Sequence, residues 1–98
     1  TKVGERQAAR AALDSRVQNE VGRLLRTRKL NPQGRDLDKQ RRGRTNFVVL
    51  KAAIDNAIAN HVGKGPGERS EYSRAELDSI AANFDSLVER SSTEVFNA

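Results

Sequence analysis

The sequence predicts an all-α fold, an antiparallel three-helix bundle with long first and second helices, on three observations. Apolar residues recur at helical spacing in three stretches, and two short linkers bearing Pro and Gly separate them. The middle stretch is apolar around so much of its circumference that it must be covered from two sides, and one stretch stands on either side of it to do so. With 98 residues the chain makes one helical domain, 1–98, with helices at about 5–29, 36–62 and 73–91.

The first helix runs from Glu5 to Lys29. Ala8, Ala9, Ala11 and Ala12 are strong helix formers, and Leu13, Val17, Val21 and Leu24 fall on one stripe. Arg16, Arg23 and Arg26 share a neighbouring face, and Arg26, Arg28 and Lys29 suit a helix C-terminus, where cations interact well with the macrodipole. Asn31-Pro32-Gln33-Gly34 ends it as a turn: Pro disfavours a helical Asn31, and Gly34 permits a positive φ.

The second helix centres on Phe47–Val62. Phe47, Leu50, Ile54, Ala57, Ile58 and His61 form its inner stripe, which Val49 and Ala53 widen. Its start is set near Asp36, with Asp36 or Asp38 as cap; the alternative is a basic loop over 35–44 with Thr45 capping a helix that begins near Asn46. Gly63 supplies the residue after the helix and Pro66 blocks continuation, making Gly63–Gly67 a linker. The third helix begins with Ser73-Arg74-Ala75-Glu76, a capping box, and its stripe is Leu77, Ile80, Ala81, Phe84, Leu87 and Val88. Asp78, Asp85 and Glu89 face outward. Beyond Ser91-Ser92-Thr93 the helix weakens, leaving Val95 and Phe96 as an extension or an apolar tail.

Charge is the informative quantity. The net charge is +5, but residues 1–65 carry +9 and residues 66–98 carry −4. Nine of the eighteen basic residues, Arg23, Arg26, Arg28, Lys29, Arg35, Lys39, Arg41, Arg42 and Arg44, lie within one tract opposed only by Asp36 and Asp38. In an antiparallel bundle the end of helix one and the start of helix two lie side by side, so the tract gathers into one surface. Many cations on one surface neutralise phosphates and release counterions, and Arg grips phosphate with two donors. With Arg16 on the adjoining helix face, these ten residues are the candidate nucleic-acid contacts. Only four aromatic residues are present, two of them needed inside, so no stacking platform for single strands is evident and duplex DNA or RNA is the expected partner. The helices are too long for a helix-turn-helix, so little base readout is expected.

Several chemistries are excluded or disfavoured. Without Cys there is no disulfide scaffold, zinc-binding cysteine set or thiol nucleophile. His61 is the sole histidine and has no His or Cys partner, so no metal and no cofactor are expected. Gly63-Lys64-Gly65-Pro66-Gly67 lacks the strand and the Gly-Lys-Ser/Thr ending of a nucleotide loop. No base adjoins a serine or Tyr72, so a non-enzymatic protein is expected, with no catalytic residue. No apolar run approaches the ~20 residues that span a bilayer and no signal-peptide core follows Thr1, so no membrane partner and a cytoplasmic or nucleoplasmic location are expected. The competing expectation is a protein–protein module: the basic end docks on an acidic protein surface, or on the acidic third helix of a second copy to form a homodimer or larger oligomer.

Overall fold

The structure, a computed structural model, describes residues 2–35, 43–65 and 71–96. Among these it is all-helical, with α1 at Lys2–Thr27, α2 at Asn46–His61, α3 at Arg74–Ala82 and α4 at Phe84–Phe96. The count of three helices is therefore corrected to four. α1 packs on α2 and α3, and α2 packs on α4. At 1.5 Å per residue α1 is about 39 Å long, close to the full 43 Å length of the molecule.

The directions of the helices follow from side-chain contacts. Arg74, opening α3, donates to the Glu5 carbonyl near the start of α1 (3.2 Å). Arg16 in mid-α1 meets Phe84, and Arg28 just past its end meets Phe96. α1 and the α3–α4 limb thus run parallel. α2 runs against both, with Asn46 beside Asn31 and His61 beside Ser79.

The core lies between these three limbs. Leu13, Val17, Val21, Leu24 and Leu25 of α1 meet Leu50, Ile54 and Ile58 of α2 and Leu77, Ile80, Phe84, Leu87 and Val88 of the third limb. Tyr72 is also buried there, and Leu30, Val95 and Phe96 pack half-buried against the cluster. Two residues placed on inner stripes by periodicity, His61 and Ala81, are exposed instead. His61 Nε2 lies 2.9 Å from Ser79 Oγ and bridges α2 to α3 at the surface.

α1 ends two residues before the predicted Lys29 because Lys29 takes φ 56. The Leu30 amide donates to the Leu25 carbonyl (2.8 Å) and the Lys29 amide to Arg26 (3.1 Å), a Schellman cap that turns Leu30 back onto the core. α2 ends with the same wiring, Lys64 to Ala59 (2.8 Å) and Gly63 to Asn60 (3.1 Å), around Gly63 at φ 72. Gly63 is the residue expected there. Lys29 is not, since a side chain in the left-handed region costs about 1–2 kcal/mol. Gly34 does not use the positive φ that glycine permits; its turn is instead crowded, as a Cβ there would meet Asn46 Nδ2 at 3.1 Å and Asn31 O at 3.2 Å.

The second helix starts at Asn46 rather than Asp36. Gly43, at φ 90, and Arg44 are non-helical, and Thr45 is extended, its Oγ1 accepting from the Val48 amide at 3.3 Å. The reason is non-local. The Asn46 amide donates to Gly34 O (2.6 Å) and the Phe47 amide to Pro32 O (3.1 Å), so the donors that a helix extending backward would need are already used by the turn. The expected helical residues 36–42 lie outside the described residues.

The third predicted helix is two. Its capping box forms as expected, with Ser73 Oγ accepting from the Glu76 amide (3.1 Å) and Glu76 Oε1 accepting from the Ser73 amide (2.8 Å). α3 and α4 divide at Asn83 (φ −112), whose amide is shared between the Ser79 and Ile80 carbonyls (both 3.2 Å) while its side-chain amide also donates to the Ser79 carbonyl at 2.8 Å. The apolar stripe continues across the break, and α4 carries it to Phe96 rather than ending near Ser91. Ser91, fully buried, seats its hydroxyl at Leu87 O (2.8 Å) and near Ala53 O (3.3 Å) of α2.

Candidate functional site

The end of the molecule where α1 stops and α2 starts is built around one turn. Asn31 Oδ1 accepts from the Gln33 amide (2.9 Å), Asn31 O accepts from the Gly34 amide (2.9 Å), and Asn46 Nδ2 donates to Asn31 O (2.9 Å). Asn46 is 2% exposed, so the strap is buried at its α2 end, while Asn31 at the other end is exposed. The strap ties the turn that lies between Lys29 and Arg35 to Asn46 and Phe47 at the start of α2, directly after Arg44 and Thr45.

Of the ten candidate contacts, Lys39, Arg41 and Arg42 lie outside the described residues. Arg16, Arg23, Arg26, Arg28, Lys29, Arg35 and Arg44 are all exposed, but they are not equivalent. Arg16 Cζ sits 4.1 Å over the Phe84 ring while its Nη2 lies 3.7 Å from Asp85. It stands twelve residues, about 18 Å along the helix, from Arg28, and so apart from the turn. Arg28 Cζ sits 4.5 Å over Phe96. Arg23 donates to Glu20 Oε2 through Nε (2.9 Å) and Nη2 (2.7 Å). That hydrogen bond, with the carboxylate charge behind it, raises the Arg23 guanidinium pKa above its ordinary value.

Arg26, Lys29, Arg35 and Arg44 make no ion pair among the described residues. Arg26 lies back along its own helix, its Nη1 so near Gly22 that a Cβ there would approach it to 3.2 Å. These four are the cations at this end with charge not engaged by a described side chain. The first amides of α2 are taken by Gly34, Pro32 and Thr45. An anion here meets side chains rather than the open amides of a helix N-terminus.

The outward acids of the third limb are partly paired, Asp78 with Arg74 (3.2 Å) and Asp85 with Arg16. Among the described residues no cluster of His, Asp and Glu could hold a metal ion, and no helix is long and apolar enough to cross a membrane. Sequence reasoning missed the stacking of Arg16 and Arg28 on aromatic rings. A signal for it exists: Arg16 and Arg28 are twelve apart, as are Phe84 and Phe96. Comparison with protein-family models, with characterised proteins and with solved structures finds no match.

Proposed function

We propose that the chain binds the phosphates of duplex nucleic acid, DNA or RNA, with little sequence readout and without catalysing a reaction. The observation that carries this reading is the gathering of Arg26, Lys29, Arg35 and Arg44, exposed and without ion pairs among the described residues, on one end fastened by the Asn31–Asn46 strap. Several cations at one end of the molecule can neutralise several phosphates of a duplex, and each phosphate they neutralise releases counterions. The aromatic residues favour duplex over single strand: Tyr72 and Phe84 are buried, Phe47 is half-buried, and Arg28 covers the half-buried Phe96, which offers no free ring for base stacking.

The test is a titration of labelled duplex DNA, duplex RNA and single strands at two salt concentrations. Binding to a duplex should weaken steeply with salt. Replacing Arg26, Arg35 and Arg44 together by Ala should reduce the slope of log affinity against log salt by roughly 3 without lowering the melting temperature. No binding to any of these at low salt refutes the proposal and transfers the same residues to an acidic protein partner; self-association that survives high salt would favour the homodimer.

A further inference from the structure

We infer that Lys29 occupies the end of α1 as a phosphate contact, in a position where a helix cap alone calls for glycine; this rests on the nucleic-acid reading above. The chain contains its own control. The caps of α1 and α2 are wired identically, each with an outer bond of 2.8 Å and an inner bond of 3.1 Å. Around Gly63 that wiring is relaxed, because glycine has no Cβ to clash at φ 72. Around Lys29, at φ 56, the same wiring holds an L side chain in a region it disfavours. A residue kept in such a conformation points to a use for its side chain.

The ordinary uses do not apply. Packing at this cap is done by Leu30, which rests on the core, whereas Lys29 is exposed. No described carboxylate pairs with it. The macrodipole is already served by Arg26 in the last turn and Arg28 directly after it. What remains is its place, between Arg28 and the strapped turn that leads to Arg35. The ammonium there adds a charge to the end that Arg26, Arg35 and Arg44 share, with a backbone fixed by two hydrogen bonds.

The experiment uses the full chain with Lys29→Gly, Lys29→Gln and, as a remote control, Arg6→Gln at the opposite end. Each is titrated with a labelled 20-base-pair duplex across a salt series and melted in the same buffer. Lys29→Gly should melt several degrees higher yet bind the duplex severalfold more weakly, with the salt slope reduced by about 1. Lys29→Gln should lose the same slope with no gain in melting temperature, and Arg6→Gln should leave the slope unchanged. If Lys29→Gly binds with the original slope, Lys29 is only a cap residue and the inference fails. It also fails if Lys29→Gly melts no higher, because the cap is then not strained by the side chain. Failure of the unmodified chain to bind any duplex is a separate result, visible before any variant is compared, and overturns the nucleic-acid reading along with this one.

Discussion

Replacing Gly34 by Ala tests whether the strap is the device that fixes the functional end. The added Cβ would stand 3.1 Å from Asn46 Nδ2 and 3.2 Å from Asn31 O, the two atoms joined by the strap's 2.9 Å hydrogen bond. Ordinary van der Waals contact begins near 3.4 Å, and one of the two neighbours is backbone, so relief requires Asn46 to move or the turn to shift. Breaking the bond leaves a polar group at a site 2% exposed, which costs about 1–3 kcal/mol, while the stiffer unfolded chain returns about 0.4–1 kcal/mol. The net expectation is a destabilisation of about 1–2 kcal/mol, or roughly 5–15 °C in melting temperature for a domain of this size. Urea and thermal unfolding of Gly34→Ala, Asn46→Ala and the double variant measure it. Since the clash is with the Asn46 side chain, the double variant should be less destabilised than the sum of the singles, by at least about 0.5 kcal/mol. A Gly34→Ala variant within about 0.5 kcal/mol of the parent, or strict additivity, would refute the reasoning.

Two further predictions address the core and the acid response. Ile54, fully buried between α1 and α4, should lose about 2–5 kcal/mol on replacement by Ala, read from urea unfolding; a loss under 1 kcal/mol would mean that the three limbs do not close around it. The Glu76 carboxylate is held below its ordinary value of 4.5, first by the hydrogen bond it accepts from the Ser73 amide and more weakly by Lys64. A depressed carboxylate stabilises the fold fully above its unfolded value and loses that contribution as pH falls through the folded value. The melting-temperature gap between the parent and Glu76→Gln should therefore be widest at pH 7 and close towards pH 3. A gap independent of pH would show that the charge contributes nothing.

Where helix geometry depends on neighbours in sequence, it was legible. Gly63 and the Ser73–Glu76 capping box stand where local rules put them, and the stripes of α1 and α4 name most of the core. The start of α2 was not, because it is decided by carbonyls of Pro32 and Gly34 a dozen and more residues earlier, which satisfy the amides of Asn46 and Phe47. Nor was the break at Asn83, where the backbone leaves the helical region within a run of otherwise continuous apolar periodicity. At the candidate site, composition located the cations but could not divide them. Arg16, Arg23 and Arg28 are turned to Phe84, Glu20 and Phe96, while Arg26, Lys29, Arg35 and Arg44 have no such described engagement. That division depends on which residues face one another across helices.

The paired arginine–ring contacts also set the phase of the molecule. A seam of Leu, Val and Ile presents similar knobs every turn, so sliding one limb by 5.4 Å exchanges one apolar contact for another. The two rungs admit no such exchange. Because Arg16 and Arg28 are as far apart as Phe84 and Phe96, both engage together in one alignment and both disengage when the limbs slip. Adding or removing a single residue between the rungs on either strand of the ladder rotates one contact by about 100° relative to the other. The number of residues between the rungs is thus held to eleven on each side, a constraint separate from the apolar identity that the core asks of Val17, Val21, Leu87 and Val88 among them.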